Sequence, residues 1–218
     1  AKKREIRVMM DLVINHTSVD SELLEKNPDW YEKNEDGTIK NPGALDGDNW
    51  IVWGDLAQID NENSSDKANL WKYWLDYILH YAELGIRGFR CDAAYQVPSS
   101  LWEYLIKEVK KVYPDAVFLA ETLSCAPDKI IDIIDSGFDI VMNSFKWWDF
   151  NAEWFLKDYN QWVEKGSSMT FPENHDTERF AAEYDNDSKK AVCYYAIEAY
   201  FCSSIAITIG FEYGFKKK

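Results

Sequence analysis

The chain is poor in the residues that most small functional scaffolds depend on. It has four cysteines in 218 residues, Cys91, Cys125, Cys193 and Cys202. They form no CxxC pair and no Cys/His ligand spacing, which excludes the common zinc-binding and dithiol frameworks. Four cysteines allow three disulfide pairings and nothing in the sequence chooses among them, so we expect free thiols, with Cys91 a small buried hydrophobe. Histidine is scarcer still, at three residues. No HxH or HExxH pattern occurs, which counts against a metal-dependent hydrolase. Positive charge is in deficit. Lys plus Arg is 24 against 38 for Asp plus Glu, a formal net charge of −14. Phosphate recognition needs a basic face, so a nucleic-acid partner is excluded. No apolar run approaches the roughly 18 residues of a membrane-spanning helix, so no membrane partner is expected. The opening Ala-Lys-Lys-Arg-Glu-Ile has no apolar signal core. It lacks an initiator Met and reads like the interior of a longer protein. We expect a cytoplasmic location.

What is present is ordinary globular composition, with 46% apolar and 28% charged residues. Its length suits one large domain or two small ones. Short apolar runs alternate with amphipathic ones. Strands are expected at Ile6–Ile14, Arg87–Asp92, Val117–Glu121, Phe138–Asn143, Ser168–Phe171 and Ile205–Ile209. Helices are expected at about 67–83, with Leu70, Trp74, Ile78 and Tyr81 on one face and Gly85 ending it. Further helices are expected at about 99–113, capped by Ser99 or Ser100, and at 128–135, 151–165 and 188–200. Strands alternating with helices imply βαβ units and a parallel sheet. A polar stretch at about 17–65, with turn chemistry at Asp36-Gly37 and Asn41-Pro42-Gly43, is too long for an ordinary connection and reads as a small subdomain inserted after the first strand.

Polar residues cluster at the C-terminal ends of the expected strands, where parallel α/β folds bind ligands. Asn15 and His16 follow the first, Asp92 ends the second and Glu121 the third. Asn174, His175 and Asp176 follow the fifth. Asp92, Glu121 and Asp176 are thereby expected on one rim. Carboxylates and imidazoles gathered there fit either a divalent-cation site or hydrolysis of a glycosidic bond by two carboxyl groups. Arg90 lies two residues before Asp92 and so on the same face of its strand. A guanidinium there keeps Asp92 ionised, as a nucleophile requires. Glu121 follows Phe118-Leu119-Ala120, an apolar setting that raises a carboxyl pKa and suits an acid.

The runs "DLVINHTS" (Asp11–Ser18), "GFRCDAAYQVP" (Gly88–Pro98), "FLAET" (Phe118–Thr122) and "FPENHD" (Phe171–Asp176) resemble the four motif regions of the alpha-amylase family, glycoside hydrolase family 13, in the family's order. The resemblance covers essentially the whole chain. It implies an α/β fold that is a partial TIM (β/α)8 barrel, spanning about the third to eighth barrel strands. About six parallel strands with helices then form a catalytic barrel segment over residues 1–218, and the stretch at 17–65 is its insertion. It further implies Asp92 as the nucleophile, Glu121 as the general acid/base and Asp176 as a third carboxylate that stabilises the transition state. His16 and His175 would contact the sugar, Arg90 would orient the nucleophile, and Asp11 would be a structural acid beside that arginine. The expected substrate is an α-glucan oligo- or polysaccharide, cleaved at α-1,4 bonds in starch-like or maltodextrin chains. Transfer of a glucanosyl or maltosyl group to another sugar uses the same intermediate and is the alternative. An inert fragment serving as an interaction module is a third reading, opposed by the retention of all three carboxylates. The remaining barrel units and a C-terminal β-domain are expected as partners of this segment.

The sequence departs from the pattern at one place. Many amylases carry Lys-His three and four residues after the nucleophile, where this chain has Tyr95 and Gln96. Tyr95 becomes a candidate sugar contact. Asn15 matches a calcium ligand of many members. With the histidine replaced, no calcium is expected through Asn15 and the Gln96 backbone, and no other cofactor or metal. Trp147–Trp148 reads as packing and His80 as structural.

Overall fold

A computed structural model of the chain describes residues 1–46 and 49–218. Gly47 and Asp48 of the inserted stretch lie outside the described residues. The chain divides into two compact units, residues 1–121 with 135–138, and residues 122–134 with 139–218.

The first unit is built on three parallel strands, β1 (Met9–Leu12), β6 (Gly88–Cys91) and β7 (Val117–Ala120), in the order β1-β6-β7. Most of β6 and β7 is buried, as expected of parallel strands covered on both faces. Phe89 and Phe118 sit opposite one another in register and their rings stack at 5.3 Å. Helix α2 (Lys67–Glu83) buries Leu70, Trp74, Ile78 and Ala82. Its stripe therefore closes on Ala82 rather than on Tyr81, which is half-buried, and Gly85 ends the helix with φ +103°. Helix α3 (Ser99–Val112) buries Leu101, Trp102, Leu105, Ile106 and Val109. Neither serine caps it. Pro98 occupies the cap position, and Trp102 Nε1 donates to Ala94 O at 3.0 Å to anchor the first turn.

Between β1 and α2 the insertion folds on short antiparallel pairs. β2 (His16–Ser18) pairs with β5 (Leu56–Gln58), and β3 (Gly43–Asp46) with β4 (Asn49–Val52). Helix α1 (Glu22–Lys26) is capped by Ser21 Oγ, which accepts from Leu23 N at 3.2 Å. Gly37, at φ +83°, makes the turn expected of Asp36-Gly37. Gly43 is not a turn residue but opens β3, where the Trp50 indole and the Ile51 carbonyl leave no room for a Cβ.

The second unit carries α4 (Pro127–Asp135, all but its last residue), β8 (Ile140–Met142), α5 (Trp154–Tyr159), β9 (Ser167–Thr170), α6 (Phe180–Glu183), α7 (Ser188–Phe201) and β10 (Ser204–Ile205). β8, β9 and β10 are parallel in that order. Six of the strands, three in each unit, thus run parallel to their neighbours, with helices between them: an α/β fold consistent with part of a (β/α)8 barrel. The expected helix at 151–165 shrinks to α5. The Asp149 carboxylate accepts from Asn151 N at 2.9 Å, a local turn that delays helix formation. Trp148 packs on Phe145, Phe155 and Tyr159, as read from the sequence. All four cysteines are free. Among the described residues no helix is long and apolar enough to cross a membrane.

Helix α7 is inverted relative to an ordinary surface helix. Val192 and Tyr200 are exposed, while Glu198 is fully buried and neither of its oxygens has a hydrogen-bond partner. Burial pushes its carboxyl up to about 8, against a smaller opposing pull from Lys146. The folded state therefore keeps a proton that the unfolded chain releases near pH 4.5. Stability from this group is complete below that value and is lost as pH rises toward 8. Glu198→Gln should accordingly raise the thermal midpoint at pH 9 and change it little at pH 5. A gain of about 1–3 kcal/mol is expected at the higher pH. Paired melts at the two pH values check this; an equal shift at both would contradict it.

Candidate active site

Strand register assembles the site. Asp11 on β1 lies directly opposite Arg90 on β6, and Arg90 lies opposite Leu119 on β7. Side chains two residues apart share a face, so Asp11, Arg90, Asp92 and Glu121 all project to one side. The backbone continues the ladder past the strand ends, with Asp92 N donating to Leu12 O at 3.1 Å and Glu121 N to Cys91 O at 3.0 Å.

The Arg90 guanidinium is the hub. Nη1 lies 2.7 and 2.9 Å from the two oxygens of Asp11 and 2.7 Å from Asp92 Oδ1. Nη2 lies 2.8 Å from Glu121 Oε2. Arg90 and Glu121 are largely buried, with side chains 13% and 14% exposed. Burial disfavours the guanidinium charge, but Asp11, Glu121 and Asp92 more than offset it and hold Arg90 above its ordinary value. For Glu121 the balance runs the other way. Burial raises its carboxyl, the Ala93 N–H and Arg90 pull it down, and Asp92 pushes it up again, for a net rise. Glu121 therefore has a raised proton affinity beside a second carboxylate, as a general acid requires.

Ala93 contributes what the sequence did not announce. Its N–H donates to Glu121 Oε2 at 2.9 Å, from a left-handed backbone at φ 40°. A non-glycine residue held there is locally strained, and an alanine carries no sequence signal of it. The Arg90–Glu121 contact is also new, since the sequence reading places only Asp92 and Asp11 beside Arg90.

His16 stands on β2 with its ring 6.1 Å from Trp53. Burial lowers its pKa and favours the neutral imidazole, while Asp92 and Asp55 pull the other way. Its Nδ1 is buried without a hydrogen-bond partner. Tyr95 is half-buried on the single turn Ala94–Gln96 that follows Asp92. His175 and Asp176 belong to the second unit, exposed and 3.3 Å apart. Their loop is shaped by Asn174, whose Oδ1 accepts from Asp176 N and Thr177 N. It is anchored by the buried Glu173–Arg179 ion pair at 3.1 Å. His80 lies on α2, edge-on to Tyr81.

The residues around Asn15 do not fit a calcium ion. Asn15 Oδ1 is buried without a partner and could ligate. Its amide nitrogen, however, faces Gln96 Oε1 at 3.4 Å, and Gln96 Nε2 donates to Gly43 O at 3.2 Å. The neighbours are amides engaged with each other, whereas calcium takes six to eight oxygens with carboxylates among them. Among the described residues no group of three acidic, His or Cys side chains could hold a metal.

A parallel α/β segment with two carboxyls at adjacent strand ends fits part of a (β/α)8 barrel, whose sites lie at that end of the strands. No family model matches the chain. Sequence relatives do. The alpha-1,4-glucan:maltose-1-phosphate maltosyltransferase of Rhodospirillum rubrum is 33% identical over 151 residues, covering 67% of this chain and 20% of the relative. Alpha-amylase MalA of Haloarcula japonica is 26% identical over 207 residues, covering 88% and 29%. Among solved structures, the maltogenic alpha-amylase AmyB of Thermotoga neapolitana superposes with a TM-score of 0.75 at 22% identity, covering 100% of this chain and 49% of that one. The chain belongs to the alpha-amylase family, and its fold is part of that family's TIM barrel. It spans less than a third of the length of these curated relatives and about half of the solved chain.

The electrostatics can be read without an activity assay. In a carboxyl carbon-13 titration, with Glu121→Gln used to identify the signal, Glu121 should titrate above its ordinary 4.5. Arg90→Lys should move it higher still, because a point charge cannot span three carboxylates and the downward pull on Glu121 weakens. A midpoint at or below 4.5, or a fall in the lysine variant, would contradict this reading.

Proposed function

We propose that this chain supplies the catalytic centre of a retaining glycoside hydrolase that cleaves α-1,4-glucosidic bonds in starch-like or maltodextrin substrates. The observation that carries the reading is the pair of carboxyls on Arg90, one of them with raised proton affinity. Asp92 attacks the anomeric carbon as the glycosidic C–O bond breaks, and Glu121 gives its proton to the departing oxygen. In the second half, Glu121 takes a proton from water. The water oxygen attacks the same carbon, releasing the sugar and returning Asp92 to its carboxylate. Arg90 pairs with the Asp92 carboxylate before attack and again after its release. Asp176 stabilises the oxocarbenium-like transition state, with His16, His175 and Tyr95 contacting sugar. The reaction draws on no metal or other cofactor, and the protein works in the cytoplasm.

A second reading has a specific support. Maltosyltransferases recur among the sequence relatives. There the 4-hydroxyl of another glucan replaces water, and the same intermediate serves both outcomes.

The test is steady-state kinetics of the whole protein on maltoheptaose and on an activated glucosyl fluoride. Asp92→Asn should abolish turnover of both, because an amide cannot attack. Glu121→Gln should lose about 10²–10⁴-fold on maltoheptaose, equal to about 3–5 kcal/mol of barrel-site catalysis. It should recover in part on the fluoride, which needs little protonation to leave. Asp176→Asn should lower kcat more than it raises KM. Full activity of Asp92→Asn, or a near-normal Glu121→Gln on maltoheptaose, would overturn the roles. Shorter products alone support hydrolysis. Longer products, or chain extension with phosphate release from maltose 1-phosphate, support transfer.

A further inference from the structure

The amide contacts at Asn15 link three segments of the first unit. Gln96 sits four residues beyond Asp92, on the turn that follows β6, and its backbone N–H donates to Ala93 O at 2.8 Å. Its side chain reaches two other segments. Oε1 accepts from Asn15, at the end of β1, and Nε2 donates to Gly43 O, the first residue of the β3–β4 hairpin. Asn15 is itself held by its carbonyl, which accepts from Ile59 N at 3.0 Å. The hairpin closes with Trp53 N donating to Pro42 O at 2.9 Å, and the Trp53 ring faces His16. His16 in turn feels the charge of Asp92. One neutral side chain thus joins the turn after Asp92, the end of β1 and the hairpin. The hairpin needs such a tie, because every residue of β4 is exposed, Trp50 by 60%. Strands without a buried face have little to hold them in place.

We propose that Gln96 is a positioning residue, a hydrogen-bond latch that holds the β3–β4 hairpin, and through Trp53 the His16 ring, beside the carboxylate pair without a bound cation. The latch acts on substrate binding and not on the chemical step. It touches neither reacting carboxyl, and the hairpin it fixes presents an indole and two apolar side chains of the kind on which a sugar face packs. This binding role rests on the α-glucan reading above; the latch itself does not.

Hydrogen exchange of the whole protein tests the latch directly. Gln96→Met keeps the length of the side chain and removes both hydrogen bonds. Exchange should accelerate about 3–10-fold across β3 and β4, the yield of one or two ordinary hydrogen bonds, while α2 stays unchanged. Calcium at about 5 mM, above the range of the weakest calcium modules, should leave the wild-type hairpin unchanged. If the methionine variant does not fold, Gln96→Asn, too short to reach both partners, should give the same pattern. In kinetics on maltoheptaose, KM should rise about 3–10-fold with kcat within about twofold. Unchanged hairpin exchange in the variants, slowing of wild-type exchange by calcium, or a loss confined to kcat would overturn the proposal. Should Asp92→Asn stay active while the exchange pattern holds, the glycosidase reading fails and the latch stands.

Discussion

One guanidinium organises the first unit. Arg90 is nearly buried and carries a charge that burial disfavours, so it persists only because three carboxylates surround it. Those carboxylates come from three adjacent strands, and their approach depends on register. A one-residue slip between β1 and β6 would turn Asp11 to the other face and leave the arginine short of a counter-charge. The parallel sheet and the charge cluster therefore specify each other. The same cluster leaves Glu121 with a raised proton affinity, which suits the acid of a two-carboxylate site.

Around this hub the chain uses neutral contacts where charge would be costly. Ala93 turns its N–H onto Glu121 at the expense of a strained backbone. Asn15 and Gln96 meet as amides, and His16 is favoured in its neutral form. Each of these sits within a few residues of Asp92 or of the β1 end. The insertion is in this sense an extension of the site, joined to it by Asn15, Gln96 and Gly43.

Much of this was legible in the sequence. Periodicity located α2 and α3 to within a residue, because long amphipathic helices with buried stripes carry strong signals. The inner strands β6 and β7 were equally plain as continuous apolar runs. The outer strands were overestimated. Residues 6–14 yielded only Met9–Leu12, and 205–209 only Ser204–Ile205. Among the described residues β1 pairs with β6 alone and β10 with β9 alone, and apolar residues beyond the paired length, such as Ile6 and Ile209, are exposed. At the site, the strand-end pattern pointed to Arg90 and Asp92 and the family resemblance added Asp11, and the register brings the three together. The sequence could not reveal Ala93, whose contribution is a backbone N–H in an unusual conformation, nor the Gln96 bridge, which depends on three segments distant in sequence. Glu198 was hidden for a similar reason, since an acidic residue on a helix reads as solvated until the fold buries it.

Asp92, ion-paired with Arg90, is proposed as the oxygen nucleophile that forms a covalent sugar intermediate. Trapping tests this most directly. A fluorinated glucosyl fluoride that forms the intermediate quickly and releases it slowly should inactivate the whole protein, and peptide mass spectrometry should find one added sugar on Asp92. A sugar found on Glu121 or on any other residue, or continued turnover with no labelled peptide, would contradict the account.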